Sequence, residues 1–536
     1  MERQRSLTQS MSWLHTWAGL LLGWALFAIF LTGTLAVFDK EIDWWMQPEL
    51  SDRGLGQAQA AEVAQRWLER EKPQASGWNI GLPTERAPQL SVSSGEQRRG
   101  ERTQLDPATG EALPVRETVG GNFFFHFHYT LHLPRMIGIW VVGFAAMAML
   151  VAIISGVIIH KKIFKDFFTF RPAKGQRSWL DGHNASAVLL LPFHLMITYS
   201  GLAIFSAIYM PAAVDALYDG DRQAMFRESR PGAEQAQQAG GGARRAGAEQ
   251  GQPRGRGEGA RPQAPAAELL PLAGFIERGE AHYGEGMVAG LSVSNPGRAD
   301  ARVTVRPLLG SRIELTKGEG MVFDGVSGRL LDAPEPSRPS LLTQRVIAGL
   351  HFAQFGGYPM RWLYFLCGLV SCVMIASGLV LYTVKKRRQV KADSSEGRAF
   401  LRLVESLNVA AVAGLSLACA ALLWGNRLLP AELAGREFWE LRLFFGVWLL
   451  SLAHARLRAP LQAWREQLFV AAALGVALPL LDLLLAPGAA DRARLGLDVT
   501  ALLLGATLAW VAWQLPRIAT SRARRTPAVQ IAGAER

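Results

Sequence analysis

The stretch FFFHFHYTLHLPR, residues 123–135, decides the fold class, because it runs directly into the apolar stretch MIGIWVVGFAAMAMLVAIISGVII, residues 136–159. About 20 predominantly apolar residues suffice to cross the ~30 Å hydrocarbon core of a bilayer, so the second stretch predicts a membrane-spanning helix. The first stretch puts His126, His128 and His132 at the entrance of that helix. Histidine titrates near neutral pH and is costly beside hydrocarbon, so the cluster predicts a function.

Seven further stretches of the 536-residue chain have the same apolar character, and together they predict an α-helical polytopic membrane protein with about eight transmembrane helices. The predicted spans lie at about 16–38, 136–160, 185–210, 361–384, 402–424, 437–454, 467–486 and 497–516. The first span is expected to be an uncleaved helix rather than a signal peptide, because its apolar run is too long and no A-x-A-like site follows.

The formal net charge of +12 reflects membrane topology rather than nucleic-acid binding. Basic residues concentrate in the loops 161–182 and 385–400, at Arg456, Arg458 and Arg465, and in the tail 517–536, at every second helix connection. The positive-inside rule then predicts that both termini are cytoplasmic and that 39–135 and 211–360 lie on the outer side of the membrane.

Each predicted outer segment, 39–135 and 211–360, reads as a helix followed by alternating strands and closes on a D-x-x-[ST]-G turn. Two small α+β domains are therefore expected outside the membrane. The stretch 230–266 between them is rich in Gly, Ala, Gln, Arg and Pro, so it predicts a disordered linker.

The first four spans form two similar pairs, each enclosing one outer segment. The segments 12–38 and 178–205 resemble each other, as do 156–162 and 378–386. Each of the four spans also carries a hydroxyl–glycine pair, which lets helices or a flat cofactor approach closely. These pairs are Thr32-Gly33, Ser155-Gly156, Ser200-Gly201 and Ser377-Gly378. The four further helices predicted in 401–516 carry no such hydroxyl–glycine pair.

Two histidines occupy equivalent positions at the inner membrane face. His15 lies 18 residues before Gly33, and His183 lies 18 residues before Gly201. The duplication therefore predicts that His15 and His183 form one ligand pair.

A second pair is predicted at the outer face. His128 lies 28 residues before Gly156, and His351 lies 27 residues before Gly378. Paired imidazoles on neighbouring helices suit a bis-histidine haem b, so the two pairs predict two haems stacked across the bilayer, their iron held by these histidines. Zinc usually takes three or four ligands at one depth, which this pattern does not offer.

Four other histidines remain alternatives. His132 shares a helical face with His128 if both lie in one helix, and His126 flanks them on another face. His194 lies 11 residues beyond His183, on the same face of a continuous helix. His160 is a candidate for capping or for contact with haem propionates. The remaining two, His282 and His454, are expected to be surface or interfacial residues.

The pieces LHTWAGLLLG, LTGTLAVF, LDPATGEAL, FHYTLHLPRMIGIWVVG and LHFAQFGG, spread over about 1–390, resemble the PepSY-associated transmembrane family of iron-regulated inner-membrane proteins and ferrisiderophore reductases. The resemblance implies a bacterial inner-membrane protein with a four-helix haem b core and PepSY-like domains in the periplasm, and it carries His15, His128 and His351 over as ligands. LDGHN at 180–184 departs from the family's usual L-H-R. The segment after 400 lies outside the resemblance.

The function expected is electron transfer through the inner membrane to a periplasmic ferric chelate, with a ferri-siderophore as the favoured substrate. A transmembrane ferric-chelate reductase of this kind would take electrons from quinol or from a separate reductase, since no flavin or nicotinamide module is recognisable. The alternatives are a non-enzymatic PepSY regulatory or binding protein and a transporter of haem or metal.

Overall fold

The computed structural model describes residues 6–50, 54–95, 102–160, 176–219, 221, 264–310, 312–315, 320–334, 336–389, 394–486 and 491–523. Most of the predicted linker 230–266, most of the loop 161–182 and the end of the tail 517–536 lie outside these residues. The chain divides into two compact units. We call Met1–Pro48, Arg116–Tyr199 and Trp362–Arg536 the helical unit, and Glu49–Val115 with Ser200–Arg361 the sheet unit.

The described helices, in chain order, are α1 (Leu7–Ala36), α2 (Asp39–Met46), α3 (Gln57–Glu71), α4 (Asn122–Thr130), α5 (Arg135–Ile159), α6 (Gln176–Leu189), α7 (Leu191–Ile204), α8 (Ser206–Tyr209), α9 (Pro211–Tyr218), α10 (Leu272–Tyr283), α11 (Pro339–Phe352), α12 (Gly357–Arg387), α13 (Ser395–Val409), α14 (Leu415–Leu428), α15 (Arg436–Leu457), α16 (Pro460–Leu485) and α17 (Arg492–Ala523). A π-helical segment, Ala410–Gly414, joins α13 to α14. The strands are β1 (Gly77–Gly81), β2 (Leu90–Ser94), β3 (Thr103–Leu105), β4 (Ala112–Leu113), β5 (Val288–Ser294), β6 (Arg302–Pro307), β7 (Met321–Asp324) and β8 (Leu330–Asp332).

The chain is a multi-pass membrane protein. Within the described residues, six helices are long and apolar enough to cross a bilayer, and a bent pair makes a seventh. The six are α1, α5, α12, α13 through α14, α16 and α17. The predicted span 437–454 forms α15, but it is not among these candidates. Its first two turns carry Arg436, Glu440 and Arg442, which lower its mean hydropathy.

The third predicted span, 185–210, is not one straight helix. α6 and α7 meet at Leu190 with a bend of 66°. Pro192 lies in the first turn of α7 and has no N–H to continue the hydrogen-bond ladder of α6, which accounts for the break. The prediction that His183 and His194 share the face of a continuous helix is therefore wrong.

α1 begins at a capping box and ends in the core of the helical unit. The Ser6 hydroxyl accepts the N–H of Gln9 at 3.3 Å, and the Gln9 side chain accepts the N–H of Ser6 at 3.0 Å. Farther along, Leu26 and Phe27 are buried in a cluster that also holds Phe444 and Leu478. The helices after residue 400 therefore share one hydrophobic core with the duplicated helices.

The strands form a single antiparallel sheet in the order β4-β3-β2-β1-β5-β6-β7-β8. β1 pairs with β5, with Trp78 opposite Val293 and Ile80 opposite Leu291. The sequence predicts two small α+β domains, and in the structure the strands of both segments belong to one sheet in which β1 and β5 are the joining pair. From the central pair outward, the strands of each half follow in chain order, β1 to β4 on one side and β5 to β8 on the other. This order is expected when two similar halves meet at equivalent strands. Joining covers two edges that would otherwise expose unpaired backbone groups.

The two D-x-x-[ST]-G turns are built alike. Asp106 Oδ1 accepts the N–H groups of Ala108 at 2.8 Å and Thr109 at 3.4 Å. Asp324 Oδ1 accepts those of Val326 at 3.1 Å and Ser327 at 2.7 Å. These hydrogen bonds hold the pKa of the exposed Asp324 carboxyl below its ordinary value.

α3 and α10 pack over the sheet with amphipathic faces. α3 buries Ala60, Ala64 and Leu68 at helical spacing. The two helices are also tied by a hydrogen bond, because Gln65 Oε1 of α3 accepts the N–H of Leu272, the first residue of α10, at 2.8 Å. The side chain of Gln65 thus caps the helix of the other half.

Candidate functional site

His15 of α1 lies against the hydroxyl–glycine pair of α5. Its Nδ1 is 2.9 Å from the carbonyl oxygen of Ala152 and 3.3 Å from Ser155 Oγ. A Cβ on Gly156 would lie 3.4 Å from His15 Cε1. We call such a hydroxyl–glycine pair in contact with an imidazole a histidine seat.

His183 of α6 has the matching seat on α12. Its Nδ1 is 2.9 Å from the carbonyl oxygen of Met374 and 3.5 Å from Ser377 Oγ. A Cβ on Gly378 would lie 3.1 Å from His183 Cε1. The accepting carbonyl precedes the glycine by four residues, as Ala152 precedes Gly156. The two halves of the duplication therefore hold equivalent histidines in the same way.

His128 of α4 lies against Gly33 of α1. Its Nδ1 is 2.8 Å from the carbonyl oxygen of Ile29, again four residues before the glycine. A Cβ on Gly33 would lie only 2.5 Å from His128 Nδ1, so no side chain fits between helix and ring. The Thr32 hydroxyl of this pair donates to the carbonyls of Ala28 at 2.7 Å and Ile29 at 3.3 Å.

His351 of α11 has its seat within the sheet unit. Its Nδ1 is 3.0 Å from Ser200 Oγ, and a Cβ on Gly201 would lie 3.0 Å from its Cε1. All four predicted ligands thus meet one of the four hydroxyl–glycine pairs. Each histidine faces a pair on another helix, which spacing along the chain does not reveal.

The hydrogen bonds fix the chemical form of three of these rings. A carbonyl oxygen only accepts, so Nδ1 of His15, His128 and His183 carries the proton and Nε2 keeps its lone pair. This is the tautomer of a histidine that ligates a metal through Nε2. Burial also lowers the pKa of His128, against the opposing effect of its hydrogen bond to Ile29, and so favours the neutral ring.

His15 and His183 are close to each other as well as to their seats. Their ring centroids are 6.2 Å apart, and the planes are inclined by 74°. Two metal–nitrogen bonds of about 2.0–2.1 Å, each extended by about 1.1 Å to a ring centre, give roughly 6.3 Å. The two rings are thus as far apart as two imidazoles bound to one metal ion would be, so the residues present fit a haem, which His15 and His183 would hold.

No group of three or more His, Cys, Asp or Glu side chains suited to a bare metal ion occurs among the described residues. A zinc site of ordinary ligand number is thus not found in this part of the chain. Two imidazoles suffice for a haem, whose porphyrin supplies the other four nitrogen ligands.

The alternative histidines have other contacts. His194 is buried and its Nε2 is 2.9 Å from Ser371 Oγ. His126 is exposed, and its Nδ1 lies 3.1 Å from the carbonyl oxygen of Asn122. His160 follows α5 and donates its backbone N–H to Gly156 at 3.1 Å.

The expectation that His132 shares a helical face with His128 is wrong. α4 ends at Thr130, and both Leu131 and His132 have positive φ, at 52° and 58°. The chain turns there so tightly that a Cβ on Gly138 would strike the backbone of Thr130. His132 is exposed, with its ring centroid 5.3 Å from that of Phe445.

Sequence reasoning missed a buried polar cluster beside α4. Glu440 and Arg436 of α15 form an ion pair with fully buried side chains, and Asn426 of α14 donates to Glu440 at 2.9 Å. The sequence feature that could have indicated this cluster is the pair Arg436 and Glu440, two opposite charges four residues apart at the start of an apolar stretch.

The family model for the PepSY-associated TM region matches residues 12–385. The chain belongs to the PepSY-associated TM family. An uncharacterized protein of Pseudomonas aeruginosa is 28% identical over 397 residues, which cover 70% of this chain and 91% of that protein. The four histidine seats lie within the PepSY-associated TM match, whereas α13–α17 lie beyond it.

Proposed function

We propose that this PepSY-associated TM protein binds two b haems and passes electrons through the membrane to a ferric chelate, with a ferri-siderophore as the favoured substrate. The observation that carries the proposal is the repeated histidine seat. Four histidines from four helices meet four hydroxyl–glycine pairs, and two of these rings stand at the separation of axial ligands. Histidines with a purely structural role would not need to meet the same kind of hydroxyl–glycine pair four times.

The residues of the chain have separate roles in this proposal. His15 and His183 would hold the inner haem, and His128 and His351 would hold the outer one. The carbonyls of Ala152, Met374 and Ile29 keep three of these rings in the ligating tautomer. A bound haem supplies a one-electron carrier whose potential depends on its axial ligands and surroundings.

The reaction proposed is a one-electron reduction of Fe(III) to Fe(II) in a chelate outside the cell membrane. The electron comes from quinol or from a separate reductase on the inner side. Fe(II) is less charged and softer than Fe(III), so hard oxygen ligands release it more readily. The proposal includes the predicted topology, with 39–135 and 211–360 in the periplasm and both termini in the cytoplasm of a bacterium.

The test is the absorption spectrum of the purified protein. We expect about two haems per chain, extractable by acid acetone because no c-type attachment motif is present, with a low-spin α-band after reduction. A ferric chelate added to the reduced protein should reoxidise it. A folded preparation that lacks haem in stable stoichiometry would contradict the proposal and favour a regulatory protein or a transporter.

A further inference from the structure

α15 lies beyond the family match and packs against α4, the short helix that carries His128. The ring of Phe444 has its centroid 4.8 Å from that of Phe123 and 5.8 Å from that of Phe127, both on α4. Trp448 adds a third aromatic contact, 6.0 Å from Phe127. α4 has nine residues, too few for a stable helix in isolation, so its geometry depends on the helices that pack against it, which include α1, α5 and, through these aromatic rings, α15.

Glu440 of α15 binds the segment that leads into α4. Its Oε2 accepts the Thr118 hydroxyl at 2.8 Å and the Val119 N–H at 2.9 Å. Its Oε1 accepts the Asn426 amide at 2.9 Å and pairs with Arg436. Both carboxylate oxygens are thus engaged, and the two bonds to Thr118 and Val119 end three residues before α4 begins.

Arg436 holds the same segment from a second side. It donates to the carbonyl of Glu117 at 2.9 Å and also to that of Asn426. Burying these charges is costly unless every polar atom is paired. A fully paired charged cluster at this place points to a demand for fixed geometry, since well-packed apolar residues would serve stability alone at least as well.

On a neighbouring face of α4, His128 meets α1. Its ring is confined between the Ile29 carbonyl and Gly33, where a Cβ would have no room. A shift of α4 away from α15 therefore moves the ring off its hydrogen bond or into the α1 backbone.

We propose that Glu440 is a positioning residue for His128 and that α15 braces the outer ligand site. This rests on the proposed function as far as haem is concerned. The packing argument itself concerns only α4 and its neighbours. It gives the region outside the family match a specific role at one of the two ligand pairs.

The first experiment compares the redox titrations of Glu440→Ala, Glu440→Gln and Glu437→Gln in the full-length protein. Glu437 is exposed on the first turn of α15 and provides the matched control. We expect Glu440→Ala to lose more than about half of one haem component or to shift its potential, because a displaced axial ligand alters both. Glu440→Gln keeps one carbonyl oxygen as an acceptor, so this variant should retain most of that haem component. Equal loss of both components would show general destabilisation and overturn the proposal.

The second experiment needs no haem. A spin label on Asn122→Cys, at the exposed first residue of α4, reports the mobility of that helix, with the unsubstituted chain as the background for its own cysteines. Glu440→Ala should raise the mobility, and Glu437→Gln should not. If Glu440→Ala makes the label mobile in a protein that never contained haem, the positioning role of Glu440 is confirmed and the proposed function fails. If mobility stays unchanged in Glu440→Ala, the brace itself is refuted.

Discussion

At the scale of single residues, the seats differ in how closely the glycine approaches its histidine. The Cβ of Gly33→Ala would lie 2.5 Å from His128 Nδ1, a distance at which the ring must move. Movement breaks the 2.8 Å hydrogen bond to Ile29, so we expect loss of the outer haem and destabilisation by about 1–3 kcal/mol. Haem content and thermal unfolding of the purified variant measure both effects.

Gly156→Ala is the matched control for this prediction. The same methyl group there would lie 3.4 Å from His15 Cε1, an ordinary contact distance. Haem content should stay near that of the parent, and the helix should gain up to about 1 kcal/mol from alanine's higher propensity. Loss of haem in Gly156→Ala but not in Gly33→Ala would contradict the geometry assigned to the seats.

If His15 and His183 hold one haem, substitutions of the two residues should have non-additive effects on the haem content. His15→Ala or His183→Ala alone should remove or convert one haem, so that the content falls from about two per chain to about one. The double variant should lose little more, because the two ligands act on one group. His126→Ala should leave the content unchanged. A double variant that loses all haem would refute the assignment of the pairs.

The sequence singled out the four histidines and the four hydroxyl–glycine pairs, but not which histidine contacts which pair. The equal spacing of His15 before Gly33 and of His183 before Gly201 indicated which histidines correspond in the duplication. Spacing does not tell which neighbouring helix a ring faces, so the contact of His15 with Gly156 could not be foreseen. The break before Pro192 and the end of α4 at Thr130 were missed because local backbone geometry overrides helical periodicity.

At the scale of elements, the joined sheet depends on close approach between β1 and β5. A Cβ on Gly290 would strike the carbonyl oxygen of Ile80 and lie 3.1 Å from the Arg306 guanidinium. Gly290→Ala should therefore loosen the pairing, at a cost of about 1–3 kcal/mol. Faster hydrogen exchange at β1 and β5 amides, and not at β3, is the expected result.

Gly274→Ala in α10 is the control for the sheet, since no atom lies within 4 Å of the added methyl group. Its exchange rates should match those of the parent. The helices and strands of each half were predictable from alternation and amphipathic spacing. Their fusion was not, because strand alternation does not specify which edge pairs with which.

At the scale of the whole molecule, the position of the C-terminus depends on whether α15 crosses the membrane. Its 22 residues extend about 33 Å, enough to span the hydrocarbon core. At one end Glu440 binds Thr118 and Val119, which precede the predicted outer histidine. At the other end Arg402, which follows the basic loop 385–400, donates to the Arg456 carbonyl at 3.1 Å.

The contacts at the two ends of α15 therefore predict that these ends lie on opposite sides of the membrane. Reporter fusions after Lys161, Arg387 and Arg458 should read as cytoplasmic, because basic residues concentrate there. Fusions near Gly110, Gly240 and Leu433 should read as periplasmic. Arg436 and Glu440 do not prevent crossing, since they are paired with each other inside the protein. Matching signals at Leu433 and Arg458 would show that α15 does not cross, and the C-terminus would then lie on the opposite side from the N-terminus.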